Sequence, residues 1–269
     1  MRALLASPLG FLIGLSLGAL GGGGSILAVP ALVYAAGQTP RHATTTSLVL
    51  VGLTAVIGIV PHWRAGRVRF GAGTIFGFAG VGGSLLGSHW NKVADPNVLL
   101  LAFSGLMFVA AYAMWRRVKN SPKPGVARSV GTAATAPHAS TRRIDPITIL
   151  KVAGAGTIVG LLTGFFGVGG GFVIVPALML ALDFTMPEAV GTSLLVLTIN
   201  AVVTLTTRLQ TGSIEWGTVI PFTIASLLGV IVGSRLASTH DSSSLQQWFV
   251  GLLVIVAIYT ATRSGLALR

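Results

Sequence analysis

The chain has no cysteine and only six acidic residues in 269. Without cysteine there are no disulfides, thiolate nucleophiles or thiolate metal ligands. Charged residues of both signs make up 9% of the chain, whereas a water-soluble domain carries about a quarter. So little ionic surface excludes an ordinary water-soluble enzyme. In its place the chain is 52% hydrophobic, with 36 glycines and a formal net charge of +12.

Eight stretches are free of Asp, Glu, Lys and Arg: 3–40, 42–63, 70–91, 96–115, 152–182, 189–207, 216–234 and 242–262. A membrane helix needs roughly 20 apolar residues, so the expected fold class is an all-α polytopic membrane protein of about eight transmembrane helices. The runs lack the alternation of a membrane β-barrel. Counting each stretch as one crossing puts 15 of the 18 Lys and Arg on the side of the termini, leaving Arg41, Lys92 and Arg235 opposite. The positive-inside rule then makes both termini cytoplasmic, in the inner membrane. The basic excess is accounted for by orientation, so nucleic acid is not an expected partner.

Shifted by 146 residues, the sequence matches itself. Gly21 falls on Gly167, Gly23-Gly24 on Gly169-Gly170, Pro30-Ala31-Leu32 on Pro176-Ala177-Leu178, Thr46-Ser47-Leu48 on Thr192-Ser193-Leu194, and Gly87-Ser88 on Gly233-Ser234. The expected organisation is a four-helix repeat over 1–115, a polar cytoplasmic linker over 116–147 and a second four-helix repeat over 148–269. Duplicated helical halves are a feature of secondary transporters, whose site lies where the repeats meet. Stretches one and five exceed a single span, and each is interrupted by glycine. With one crossing each the repeats are parallel, the arrangement favoured by the charge count. If each folds back as a hairpin the repeats are inverted, and Lys and Arg divide 12 to 6.

Consecutive glycines cost about 1 kcal/mol each in a helix interior, so Gly21–Gly24 and Gly167–Gly171 should break their helices. Broken helices at membrane depth need freed backbone groups turned to protein or a watery cavity. Their N–H groups and the positive end of a half-helix favour an anion. The candidate substrate-binding residues at the breaks are Gly23, Gly24, Ser25, Gly169, Gly170 and Gly171. Ser193, Asn200 and Thr204 form one polar stripe along a helix, and Thr46, Ser47, Thr192, Ser193 and Asn200 complete the candidate set. Interhelical hydrogen bonding accounts for such a stripe about as well as substrate contact does. The pairs Gly83/Gly87 and Gly229/Gly233 are read as close helix packing. Thr185-Met186-Pro187-Glu188 has the pattern of a capping box.

The carboxylates Asp95, Asp145, Asp183, Glu188, Glu215 and Asp241 all fall at stretch edges or in loops, so a carrier driven through buried carboxylates is poorly supported. His62 and His89 occupy the places held by Arg208 and Arg235 in the second half, as interface residues or as groups handling protons or anions at the mouths. Gly24-Ser25 has no mid-span histidine to activate a serine. The expectation is therefore no enzyme, no metal and no cofactor.

These blocks resemble the TauE/SafE family, also known as the sulfite exporter or 4-toluene sulfonate uptake family. The resemblance rests on Gly21-Gly22-Gly23-Gly24-Ser25 with Pro30-Ala31-Leu32, on Gly167-Val168-Gly169-Gly170-Gly171 with Pro176-Ala177-Leu178, and on Thr45-Thr46-Ser47-Leu48 with Gly191-Thr192-Ser193-Leu194. It covers both halves and leaves out the linker. It implies an inner-membrane carrier, in the exporting direction, of sulfite or related organosulfur anions. The partners expected are that anion and the lipid bilayer, with a homodimer open. The alternatives are a carrier of other small anions such as carboxylates, or a non-transporting membrane scaffold.

Overall fold

The computed structural model describes residues 2–34, 37, 40–91, 96–120, 146–166, 171–208, 216–239 and 241–267. The expected linker lies largely outside the described residues, as do Gly169 and Gly170. The first half runs α1 (Arg2–Leu20), a single 3₁₀ turn at Gly21–Gly24, α2 (Ser25–Tyr34), α3 (Pro40–Arg64), α4 (Phe70–Asn91) and α5 (Pro96–Asn120). The second runs α6 (Pro146–Phe166), α7 (Gly171–Leu182), α8 (Met186–Arg208), α9 (Trp216–Thr239) and α10 (Ser242–Ala267). No strand occurs among the described residues.

Eight of these helices have 19 residues or more, and 19 residues rise about 28 Å. Among the described residues, seven segments are both long and apolar enough to cross a membrane. The surface is that of a protein solvated by lipid. Phe78, Leu85 and Leu86 on α4, Ile158 on α6 and Ile255 on α10 are each more than 60% exposed, as large apolar side chains facing lipid would be. Trp63, Trp90, Trp115 and Trp248 are exposed near helix ends, where amphipathic rings favour the membrane interface.

The helix pairing runs between the halves. Gly10, Gly14 and Gly18 of α1 lie on the backbone of Phe222, Ser226 and Val230 of α9, so the two helices run in the same direction. The shift of 146 carries this contact onto the second pair, in which Gly156, Gly160 and Gly164 of α6 lie on Phe76, Gly80 and Ser84 of α4. Gly83 and Gly87 face the carbonyls of Thr157 and Leu161, and Gly229 and Gly233 those of Phe11 and Leu15. A side chain at any of these four would strike backbone, so they act in close packing as their spacing implies.

Two further contacts fix the path of the chain. Gly58 of α3 touches Val230 of α9, and the end of α3 lines one cavity with residues 231–238, so α3 runs with α9 and hence with α1. Gly73 and Gly77 of α4 touch Leu195 and Ile199 of α8, so α8 runs with α4 and hence with α6. If α1 and α3 share a direction, α2 must return between them, and α7 must likewise return between α6 and α8. Gly24 shows the reversal directly, packed against Ile13 and Leu17 of α1. The single crossing favoured by the charge count for each glycine-broken stretch is therefore replaced by a long helix and a short one folded back. At the first break the reason is local: Gly21–Gly24 turn the chain instead of merely interrupting it. α3 and α8 cross antiparallel, Gly52 against Ala201 and Gly58 against Leu194. The crossing centres near Thr54 and Asn200, which are equivalent under the repeat, so an approximate two-fold axis perpendicular to the helices passes between them.

Gly160→Ala places a methyl into the Gly80 carbonyl, whereas Gly154 has nothing within 4 Å. Overpacking of this kind costs about 1–3 kcal/mol, and an exposed helical Gly→Ala gains up to about 1 kcal/mol. Melting of the detergent-purified variants should show Gly160→Ala well below and Gly154→Ala at or above the parent.

Candidate functional site

α1 stops where its sequence becomes four glycines. Gly21 adopts φ +67°, a left-handed conformation that glycine enters without steric cost, and all four glycines of the turn are buried. α2 then begins at Ser25, whose backbone N–H and hydroxyl both donate to the Gly22 carbonyl, the hydroxyl at 2.7 Å. The hydroxyl thus adds a second donor to a carbonyl that the Ser25 N–H already engages.

The two halves meet at this turn. A Cβ on Gly22 would collide with the Gly171 carbonyl, and one on Gly171 would lie 3.0 Å from the Gly22 carbonyl and against the Ser25 hydroxyl. Gly171 opens α7 as Ser25 opens α2, and the two residues are equivalent under the repeat. The amino ends of both short helices therefore converge near the two-fold axis, bringing two partial positive charges together. Gly21 packs on Ser193 and Val190 of α8, and the Ser193 hydroxyl donates to the Val190 carbonyl at 2.8 Å. Leu197, one turn on, packs on Gly171.

Among the residues singled out by sequence, Gly23, Gly24, Ser25, Gly171 and Ser193 lie in or against this junction, although Gly23 turns toward Phe249 and Leu252 of α10. Asn200 sits two turns beyond Ser193, its Oδ1 buried without a hydrogen-bond partner. Its equivalent, Thr54, is fully buried, and its hydroxyl donates to the Leu50 carbonyl at 2.6 Å. Thr46 and Ser47 are buried near the start of α3. The Thr192 hydroxyl is engaged elsewhere, accepting the Arg69 N–H at 3.1 Å. That bond ties the start of α4 to α8.

Two features went unread in the sequence. Gly22 lies so close to the Gly171 carbonyl that no Cβ fits, although its equivalent, Val168, departs from the glycine pattern. The other is an anchor at the start of α8. Glu188 accepts the Thr185 N–H at 3.1 Å, as a capping box requires, and pairs with Arg69 at 2.5 Å. One carboxylate thus caps α8 and clamps α4 to it.

Glu188→Gln retains the reach to Thr185 but loses the ion pair, and Glu188→Ala loses both. A half-exposed pair is worth about 0.2–1 kcal/mol and a capping interaction about 1 kcal/mol. Thermal melts should therefore rank the parent above Glu188→Gln and that above Glu188→Ala, while equal melts of the two variants would deny the cap any share.

Residues 6–260 match the family described as sulfite exporter TauE/SafE. A probable membrane transporter protein of Xylella fastidiosa (strain 9a5c) is 35% identical over 262 residues, covering 96% of this chain and 95% of its own. The probable membrane transporter protein YunE of Bacillus subtilis (strain 168) is 27% identical over 267 residues, covering 95% and 92%. No solved structure matches the chain. With the family match running through both halves and both breaks, the chain belongs to the TauE/SafE sulfite exporter family of membrane transporters.

Proposed function

We propose that this transporter carries sulfite or a related organosulfur anion across the bacterial inner membrane, outward from the cytoplasm, and that the anion is held where the two helix breaks meet. The observation that carries the reading is the convergence of the amino ends of α2 and α7 at Gly22 and Gly171, beside the hydroxyls of Ser25 and Ser193. Such a site offers an oxyanion backbone dipoles, and the stretches contain no carboxylate in mid-span to repel it. Asn200, near the axis, is a polar amide whose Oδ1 has no partner, and its NH2 group is of the type that donates to an oxyanion. Two repeats of opposite direction packed around one site provide for alternating access.

From the fold-back of α2 and α7 we infer an orientation opposite to the expected one for the termini. The linker leaves the side opposite to both termini, so Lys and Arg divide 12 on the linker side to 6 on the other. The positive-inside rule then makes the linker side cytoplasmic and the termini external.

Sulfite flux into proteoliposomes tests the substrate. Saturable flux is expected, with competition from sulfoacetate and thiosulfate and none from acetate. A hydrogen bond to a charged group is worth about 1.5–3 kcal/mol; Ser193 has to turn its hydroxyl from the Val190 carbonyl to make one, so Ser193→Ala should lower apparent sulfite affinity by less than Asn200→Ala, which should lower it roughly tenfold, both at unchanged membrane levels. Acetate competing as well as the sulfur anions would move the assignment to a carboxylate carrier; no flux from folded protein would end it.

A further inference from the structure

The ends of α3 and α9 line an open cavity of about 280 Å³ beside the central junction, on the side from which the linker leaves. Arg67 and Arg235 line it from opposite elements, together with His62, Ser234 and Ser238. Neither guanidinium is paired with a carboxylate among the described residues. The two hydroxyls are already spent on their own helix, Ser234 donating to the Ile231 carbonyl at 3.0 Å and Ser238 to that of Arg235 at 2.6 Å. The free donors of the cavity are therefore the two guanidiniums, each with five N–H groups in a fork that matches an oxyanion.

His62 joins this cavity to the junction. It is 1% exposed, its Nε2 lies 3.3 Å from the Gly18 carbonyl, and its Nδ1 is buried without a partner. Gly18 stands three residues before the turn that meets Gly171. On α8, Gly191 packs on His62 and Ser193 on Gly21. The wall of the cavity is thus in contact with both elements that frame the break.

We propose that this cavity is an anion-loading site, in which Arg67 and Arg235 hold an oxyanion on the cytoplasmic side before it passes the His62 wall to the junction. This rests on the carrier reading above and adds to it a second, outer binding position. An oxyanion such as sulfite fits the volume, and paired arginines raise its local concentration at the mouth.

The test uses the full-length protein, with sulfite as the probe in two assays. Sulfite is titrated calorimetrically into detergent-purified protein, and sulfite flux is measured from each face of oriented proteoliposomes. The variant Arg67→Gln/Arg235→Gln should weaken sulfite binding about tenfold and raise KM about tenfold from the linker face. KM from the opposite face should stay within about twofold. Arg235→Gln alone, on an exposed side chain, serves if the double variant does not fold, and should show the same asymmetry at smaller size. Unchanged binding and KM, or an equal rise at both faces, overturns the loading site. If the parent binds sulfite but does not carry it, and the double variant loses that binding, the cavity stands and the carrier reading fails. If the parent does not bind sulfite, both are overturned.

Discussion

In hydrocarbon, a backbone N–H or C=O without a partner costs several kcal/mol, and the architecture of this protein depends on that cost. α1 ends at four glycines buried inside the protein, and the backbone groups freed there have to be covered by protein. Gly22 and Gly171 cover each other at contact distance, which only residues without a Cβ allow. Ser25 takes the carbonyl that the first turn frees. The same contact holds the halves together and aims two helix amino ends at one place, so stability and the proposed anion site have a common origin.

Glycine does a second, separate job along the outer pairs. Little hydrophobic force draws helices together in lipid, so close packing through small residues takes its place. In α1 with α9, and in α4 with α6, glycines spaced by four bring the backbones into contact, and each pair joins one half to the other. The halves are thereby interlocked twice, at positions related by the shift of 146. Between these pairs, α3 and α8 cross near Thr54 and Asn200, where the polar groups of the spans lie.

Much of this was legible in the sequence. The eight uncharged stretches correspond to the eight long helices, the capping box at Thr185 is formed, and the pairs Gly83/Gly87 and Gly229/Gly233 pack as their spacing implied. The breaks were legible too, because consecutive glycines cannot sustain a helix. Their consequence was not: whether a chain continues or turns back depends on Gly21 entering φ +67° and Gly24 packing on Leu17, which composition does not encode. Counting charge over single crossings then favoured parallel repeats. Partners in space were equally hidden. His62 and His89 look alike in sequence, yet one is buried against Gly18 and the other exposed on α4, because only the first faces a neighbouring helix.

The fold-back at the glycine breaks is the claim on which the junction, the two-fold relation and the orientation all stand, and the absence of native cysteine makes it directly accessible. Single cysteines at Ser140 in the linker and Leu268 at the carboxyl end, labelled with a membrane-impermeant maleimide in intact spheroplasts and again after permeabilisation, report which side each occupies. The fold-back predicts opposite sides, with Leu268→Cys labelled from outside and Ser140→Cys only after permeabilisation. Both thiols reacting from the same side would mean that each broken stretch crosses once, contradicting the account.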